Sequence, residues 1–456
     1  MAKTGWSSWT LLAAVLRECG GSCSSQGSQS ERLVCIHTIR RREIQQGMKK
    51  TKDLSDFYQR PDWVRRVNAM GDSVGGSKHL VPLEAETLID TATASTGGLT
   101  DFGSFDGDWK RRFTSLIQEL EATGNLNTVG RLMTRQELLR GLRTRLLLTH
   151  ARNENPLISQ EPITSPLVIT GPPRSGTSIL FELLSLDPNA RGPLGWEVLH
   201  PLPFDGKTPA ERLAMSECEQ EFWTDVQPEF ATIHELRSDL PVECVTLTLP
   251  GFSGGHWGMV ANIPHWEADY SATMAYHRAL LQTLQHGGQP QNWVLKTPLY
   301  LVFIDLLFET YPDAWLIHTH RDPLKTEPSS LSTLATVRWE RSDFVDLPEA
   351  GGAGLGDIMI HLAHRRTAGE LPDRIVDSHF TELMADPVAA VEKLYGQMDR
   401  PFLGTHADSI RHYIDSKPKG KFGQHKYSAE EWGFNSAELR KKMLPYTDHY
   451  GITLES

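Results

Sequence analysis

No run of about 18 apolar residues occurs anywhere in the 456 residues, so no membrane-crossing helix is expected. The longest apolar stretch near the start, WTLLAAVL, is too short. It also lacks the basic start and small-residue cleavage site of a signal peptide. Cysteine is scarce. The five present (Cys19, Cys23, Cys35, Cys218, Cys244) are irregularly spaced, which excludes a disulfide framework and reads as free thiols in a reducing, cytoplasmic setting. Cys19, Cys23 and Cys35 form a loose cluster without zinc-finger spacing, so no metal is expected there. Positive charge is also short. With 46 Lys and Arg against 57 Asp and Glu the net charge is −11, which argues against nucleic acid as a partner. Peripheral contact with a membrane stays open, as does oligomeric state. An anionic ligand would need a locally basic pocket. Internal repeats are absent, and 39% apolar with 23% charged residues is the balance of a globular chain.

The chain divides by pattern. Residues 1–55 are rich in Ser, Gly and Arg without sustained periodicity, and read as a disordered tail or an over-long start. From 56 to 160 the pattern is helical: WKRRFTSLIQELEATG and TRQELLRGLRTRLLLTHARNENP carry apolar residues at three-to-four spacing, a helical region packed on the core. From 161 to 456 strand–turn–helix units take over. LVIT (167–170), WVLK (293–296), WLIHTH (315–320) and RIVDS (374–378) are short apolar runs, each leading into a helical stretch. That alternation predicts an α/β fold with a doubly wound parallel sheet. Residues 200–290 interrupt it as an aromatic-rich insertion of the kind that forms lids and binding loops.

The informative stretch is GPPRSGTSIL, residues 171–180, between LVIT and an apolar helix. Strand, glycine-rich turn, helix is a phosphate-binding loop, its anion held by backbone N–H groups at the helix start. Gly171 and Gly176 have the nucleotide-loop spacing and Ser178 holds the hydroxyl position. The position of the nucleotide lysine, however, holds Thr177, and the available cation is Arg174. No second acidic magnesium ligand follows WLIHTH. A loop without that lysine suits a shorter phosphate group than the tail of a nucleoside triphosphate. Downstream, Arg321 ends a strand, where its planar fork suits a phosphate. Asp322-Pro323 then reads as an N-cap and first turn, with Ser329 two turns along that helix.

GPPRSGTS resembles the 5′-phosphosulfate loop of sulfotransferases that use 3′-phosphoadenosine 5′-phosphosulfate, a family with a P-loop-like fold. HRDPLKTEPSS is similar to that family's 3′-phosphate motif, with Arg321 and Ser329 as its arginine and serine. WVLKTP resembles the strand ending in Lys-Thr-His and places Lys296 beside the sulfuryl group. HFTELMADP resembles the segment whose aromatic ring stacks on adenine, which falls on Phe380. PKGK, with Lys417, Lys419 and Lys421, is similar to the late loop closing over the 3′-phosphate. The wording from AYHRALLQTLQ to YPDAWLIHTHRDP is most like the large bacterial group, and the resemblance runs over about residues 60–445. It implies Arg174, Ser175, Gly176, Thr177 and Ser178 around the 5′-phosphate, charge stabilisation by Arg174 and Lys296, and no metal.

One departure is chemical. The small-molecule branch uses the histidine of Lys-Thr-His as general base, and this chain has Pro298 there, which takes no proton. The tyrosylprotein branch uses a glutamate after the loop helix. Glu197, behind Trp196, is the equivalent expected here, with His256, His265 and Glu243 as alternatives. His318 and His320 share one strand face and read as packed residues, for want of a third ligand. The aromatics Phe222, Trp223, Phe230, Phe252, Trp257 and Trp266 suggest a hydrophobic small-molecule or lipid hydroxyl as acceptor. A P-loop kinase or nucleotide hydrolase, and a nucleotide-binding scaffold with a decayed site, are the competing readings.

Overall fold

The computed structural model describes residues 54–455 except 56, 290, 349, 351–353 and 418–426. Almost all of the 1–55 segment lies outside the described residues, as do Lys419 and Lys421. Five strands form one parallel sheet: β1 Leu167–Thr170, β2 Ala190–Arg191, β3 Asn292–Lys296, β4 Trp315–His320 and β5 Ile375–His379, in the order β2-β3-β1-β4-β5. β2 has only two residues and carries no periodicity to read. Side chains alternate between the faces of a strand. Val168, Leu295, Leu316 and Ile375 enter one core cluster, while Leu167, Ile169, Val294, Ile317 and Val376 enter another. Burial of both faces is why these strands read as unbroken apolar runs rather than alternating ones.

The helices that position the site are α1 Trp109–Thr123, α2 Thr128–Glu154, α3 Thr177–Leu184, α4 Gly195–Leu199, α5 Pro209–Val226, α6 Cys244–Leu247, α7 Tyr270–Gln285, α8 Pro323–Trp339, α9 Leu355–Thr367, α10 Phe380–Ala385 and α11 Ser436–Tyr450. α3 packs Leu180, Phe181, Leu183 and Leu184 on one side of the sheet; α7, α9 and α11 belong to the cluster on the other. α8 begins as its sequence predicts: Asp322 accepts the Leu324 N–H at 3.0 Å and Pro323 fills the first helical position. Among the described residues no helix is long and apolar enough to cross a membrane.

The rings of the aromatic insertion, expected in a lid or binding loop, are largely core. Phe230, Phe252, Trp257 and Trp266 are buried together with Phe113, Leu116, Leu142 and Leu146 of α1 and α2. Trp223 packs on Phe230 and Phe222 on Trp63. The reason is physical: α1 and α2 have apolar faces that the sheet does not cover, and these rings supply the missing core.

One buried group behaves against the usual trend. Glu340, just after α8, is wholly buried, and neither carboxylate oxygen has a hydrogen-bond partner among the described residues. Burial pushes its carboxyl well above the ordinary range, against the pull of Arg341. A raised folded-state value means that ionisation at higher pH opposes folding. Glu340→Gln should therefore raise the denaturant midpoint at pH 8 and leave it nearly unchanged at pH 4.

Candidate active site

β1, β3, β4 and β5 end along one edge of the sheet, with Ile169 beside Lys296, Thr170 beside His318 and His320 beside His379. In a parallel sheet the loops after the strand ends form the binding crevice. That register alone gathers the loop 171–176, Lys296, Arg321 and Phe380.

The loop is tightly held. A Cβ on Gly171 would stand 2.0 Å from Thr319 Oγ1, so only glycine lets β1 pass β4 this closely. Gly176 (φ +90°) lies against Phe380 and Leu383. Arg174 takes a left-handed φ of +68°, a strained choice for a residue with a side chain. α3 starts at Thr177, so its first amides have no intrahelical partner and face an anion's position. Arg174 and Ser178 are exposed. Ser175, expected among the phosphate contacts, is turned inward: its N–H and hydroxyl both reach the Pro172 carbonyl, and Oγ meets Thr319 Oγ1 at 2.6 Å. It braces the loop rather than facing the crevice.

Lys296 is not a surface lysine; it is 1% exposed at the end of β3. Its ammonium donates to Ser178 Oγ at 3.3 Å and to the Glu243 carboxylate at the start of α6. His234 Nε2 meets the same carboxylate oxygen at 3.2 Å. Burial would raise the Glu243 carboxyl, but the Lys296 charge and the hydrogen bonds from His234 and Lys296 hold it down at about 2. Glu197, the expected base, is engaged elsewhere. It accepts the Leu194 N–H at the start of α4 at 3.2 Å and pairs with Arg191. His256 faces Glu137 at 3.5 Å, and exposed His265 lies over α1. The three carboxylate and histidine alternatives thus separate: of them, Glu243 touches the lysine that touches the loop.

Arg321 lies across the crevice. Its Nη1 donates to the Arg174 carbonyl at 2.8 Å, its guanidinium sits 3.7 Å over the Phe380 ring, and Nε and Nη2 each meet one carboxylate oxygen of Glu455 at 2.7 Å. One face of Phe380, the expected adenine platform, is therefore covered by Arg321. Ser329 is fully buried in α8 and its hydroxyl has no partner among the described residues. Lys417 leans on the back of the loop helix through Glu182 and Tyr413. Beside Glu243 and Lys296 their chain neighbours Cys244 and Thr297 line a small, water-sized cavity with Thr248, Met274, Leu299 and Phe303. The Tyr270 hydroxyl, also in its wall, is buried without a hydrogen-bond partner among the described residues.

His318 and His320 acquire the third group that the sequence did not reveal: with Asp377 their ligand atoms lie within 4.8 Å of one another. Both nitrogens of His320 are engaged, by Tyr446 at 3.0 Å and Asp377 at 3.0 Å. Arg366 also forks onto Asp377 at 3.1 and 3.2 Å, placing a guanidinium where a metal's charge would sit. Nothing in the sequence signalled His234 or Glu455. Neither lies in a motif, and the Glu455 contact spans 134 residues.

The sulfotransferase family model matches residues 166–403, more than half of the chain and all five strands. The omega-hydroxy-beta-dihydromenaquinone-9 sulfotransferases of Mycobacterium bovis and Mycobacterium tuberculosis are 22% identical over 288 residues, 58% of this chain and 71% of theirs. Among solved structures, sulfotransferase STF9 of Mycobacterium avium superposes with a TM-score of 0.69 at 24% identity, covering 82% of this chain and 98% of that one. Sulfotransferase STF1 of M. tuberculosis gives 0.65 at 22% identity, covering 80% and 99%. At such identities the likeness speaks for the fold, which is the P-loop-like α/β fold of those proteins.

Proposed function

This chain belongs to the sulfotransferase family, and from that premise we propose that it moves a sulfuryl group from 3′-phosphoadenosine 5′-phosphosulfate to the hydroxyl of a hydrophobic small-molecule or lipid acceptor. The observation that carries this reading is the buried Lys296 joining the loop serine, Ser178, to Glu243 at the strand-end edge. The residues fit such a donor. The open amides of α3 with Arg174 suit its 5′-phosphate. Arg321, just before α8, together with Ser329 in α8, whose hydroxyl has no partner among the described residues, suits a 3′-phosphate. The donor supplies an activated sulfuryl group; the remaining tasks belong to the chain.

Lys296 is placed to neutralise charge developing on the oxygen that leaves the sulfuryl group, a preorganised electrostatic role. Glu243 takes the acceptor's proton. At rest it is held near 2 and is a poor base. When Lys296 turns toward the donor, that restraint loosens and burial raises the carboxyl toward a useful value. Base and electrophile are thus made ready by the same side chain. We prefer Glu243 to Glu197 on this geometry, since Glu197 serves the turn before α4. The mycobacterial relatives are named for a menaquinone derivative, and that is what supports a hydrophobic acceptor here.

Calorimetric titration with adenosine 3′,5′-bisphosphate, without metal and with ADP as control, tests the donor site. Bisphosphate should bind at least about tenfold tighter than ADP, and Arg321→Ala should abolish that preference, since a lost charge-assisted contact costs about 1.5–3 kcal/mol. Preference for ADP with magnesium would instead favour nucleotide hydrolysis.

A further inference from the structure

We propose that Glu455 is an internal competitor for the donor's 3′-phosphate, latched on Arg321 in the resting chain and displaced as donor binds. The inference rests on the reading of Arg321 as the 3′-phosphate residue.

The contact has the form of the ligand it would exclude. The two Glu455 oxygens take Nε and Nη2 of Arg321, each at 2.7 Å. This is the fork–fork pairing that a guanidinium makes equally with carboxylate and with phosphate. The third nitrogen is committed to the Arg174 carbonyl at 2.8 Å, and one face of the group lies on Phe380. A phosphate using the Nε–Nη2 edge therefore meets an occupied site, and an incoming negative charge meets a negative side chain. Only one anion fits that edge.

The backbone delivers Glu455 there by a built turn. α11 ends at Tyr450. Gly451, at φ +61° and ψ +44°, reverses the chain, and the Ile452 N–H returns to the Thr447 carbonyl at 2.9 Å. The Glu455 N–H then reaches Asp322 Oδ2 at 2.7 Å and its carbonyl accepts from Arg440 Nη2 at 3.1 Å. Arg440 also holds Asp322, the N-cap of α8, at 3.2 Å. Arg321 and Asp322 thus both bind the same tail residue, one through its side chain and one through its main chain. Yet the segment is lightly held by packing: Leu454 is 55% exposed and Ile452 sits at the edge of the core. Such a segment opens at low cost compared with a core element.

A latch of this kind lowers apparent affinity by the fraction of molecules that are open. The test uses the full chain and adenosine 3′,5′-bisphosphate, with ADP, which lacks a 3′-phosphate, as the parallel probe. Glu455→Gln and Glu455→Ala should each tighten bisphosphate binding by about tenfold, the effect of a resting state only about one-tenth open, and leave ADP affinity unchanged. Unchanged or weakened bisphosphate affinity in both variants overturns the latch; weakening would make Glu455 a positioning residue for Arg321. A wild-type chain that binds bisphosphate no tighter than ADP would instead sink the donor reading itself. A wild type that prefers bisphosphate, loses the preference in Arg321→Ala and gains nothing from Glu455→Gln would sink the latch alone.

Discussion

Lys296→Met should lower kcat by about 10²–10³-fold while leaving affinity for adenosine 3′,5′-bisphosphate within a few-fold. The spent donor has no sulfuryl group, so a residue that acts on the departing oxygen contributes little to holding it. Glu243→Gln should cost about 10²–10⁴-fold in kcat, the usual share of a positioned general base. Losses in the double variant should fall well short of the product of the single losses, because Lys296 and Glu243 share a hydrogen bond and act as one unit. Stability separates this mechanism from a folding role. Lys296→Met strands a carboxylate that burial would push upward, and the fold should weaken. Adding Glu243→Gln removes that charge and should restore the denaturant midpoint without restoring turnover. Recovery of both together would mean that the pair is structural. A Glu197→Gln variant with the larger loss in kcat would return the base to α4.

The parts of this site that lie within a few residues of one another were legible before any coordinates. Gly171, Gly176 and the helix that follows specify the loop because glycine spacing is a local backbone demand. Asp322-Pro323 announces α8 through capping chemistry alone. Strands buried on both faces announce themselves by composition. What was not legible is side-chain direction across distance. Glu197 and Glu243 are both carboxylates near a helix start, and only the fold brings the second, 53 residues from Lys296 in sequence, against its ammonium. Ser175 carries the right chemistry and turns inward because Thr319 offers it a closer partner. Phe380 is an aromatic at the expected strand end, yet its face is shared with Arg321. The insertion aromatics were misjudged for a simpler reason: aromatic content reports how much surface wants burial, not what buries it. Here α1 and α2 do.

Away from the crevice, Glu137→Ala should destabilise the fold by about 3–5 kcal/mol, the cost of breaking a buried ion pair by removing one partner. Glu137 in α2 is 4% exposed and Arg341, beyond α8, is 0% exposed. They meet through two bonds of 2.8 Å, with Thr134 Oγ1 adding a third to Arg341 at 3.2 Å. The backbone is committed as well: Asn127 donates to the Arg341 carbonyl at 2.9 Å, and a Cβ on Gly130 would come within 2.1 Å of that oxygen. Removing Glu137 leaves a guanidinium without its counter-ion where the chain after α8 packs against Gly130 of α2 too closely to admit water cheaply. Removing both charges is a different perturbation. Glu137→Leu with Arg341→Met keeps the volume and should recover most of the loss. The pH dependence follows in sign. Burial alone would raise the Glu137 carboxyl, but Arg341 and His256 outweigh it and hold it far below the ordinary value of 4.5. Its contribution is therefore present above pH 4.5 and lost as pH falls below that value. Urea titrations of the wild type should show a decline between pH 5 and pH 3 to which Glu243 and Asp377 also contribute, and Glu137→Ala should make it shallower. Bisphosphate affinity of the folded variant should stay unchanged, because this pair ties α2 to the end of α8 and touches neither the loop nor Arg321. A flat wild-type profile, or a variant as stable as the wild type at pH 7, would mean that the pair only balances its own desolvation.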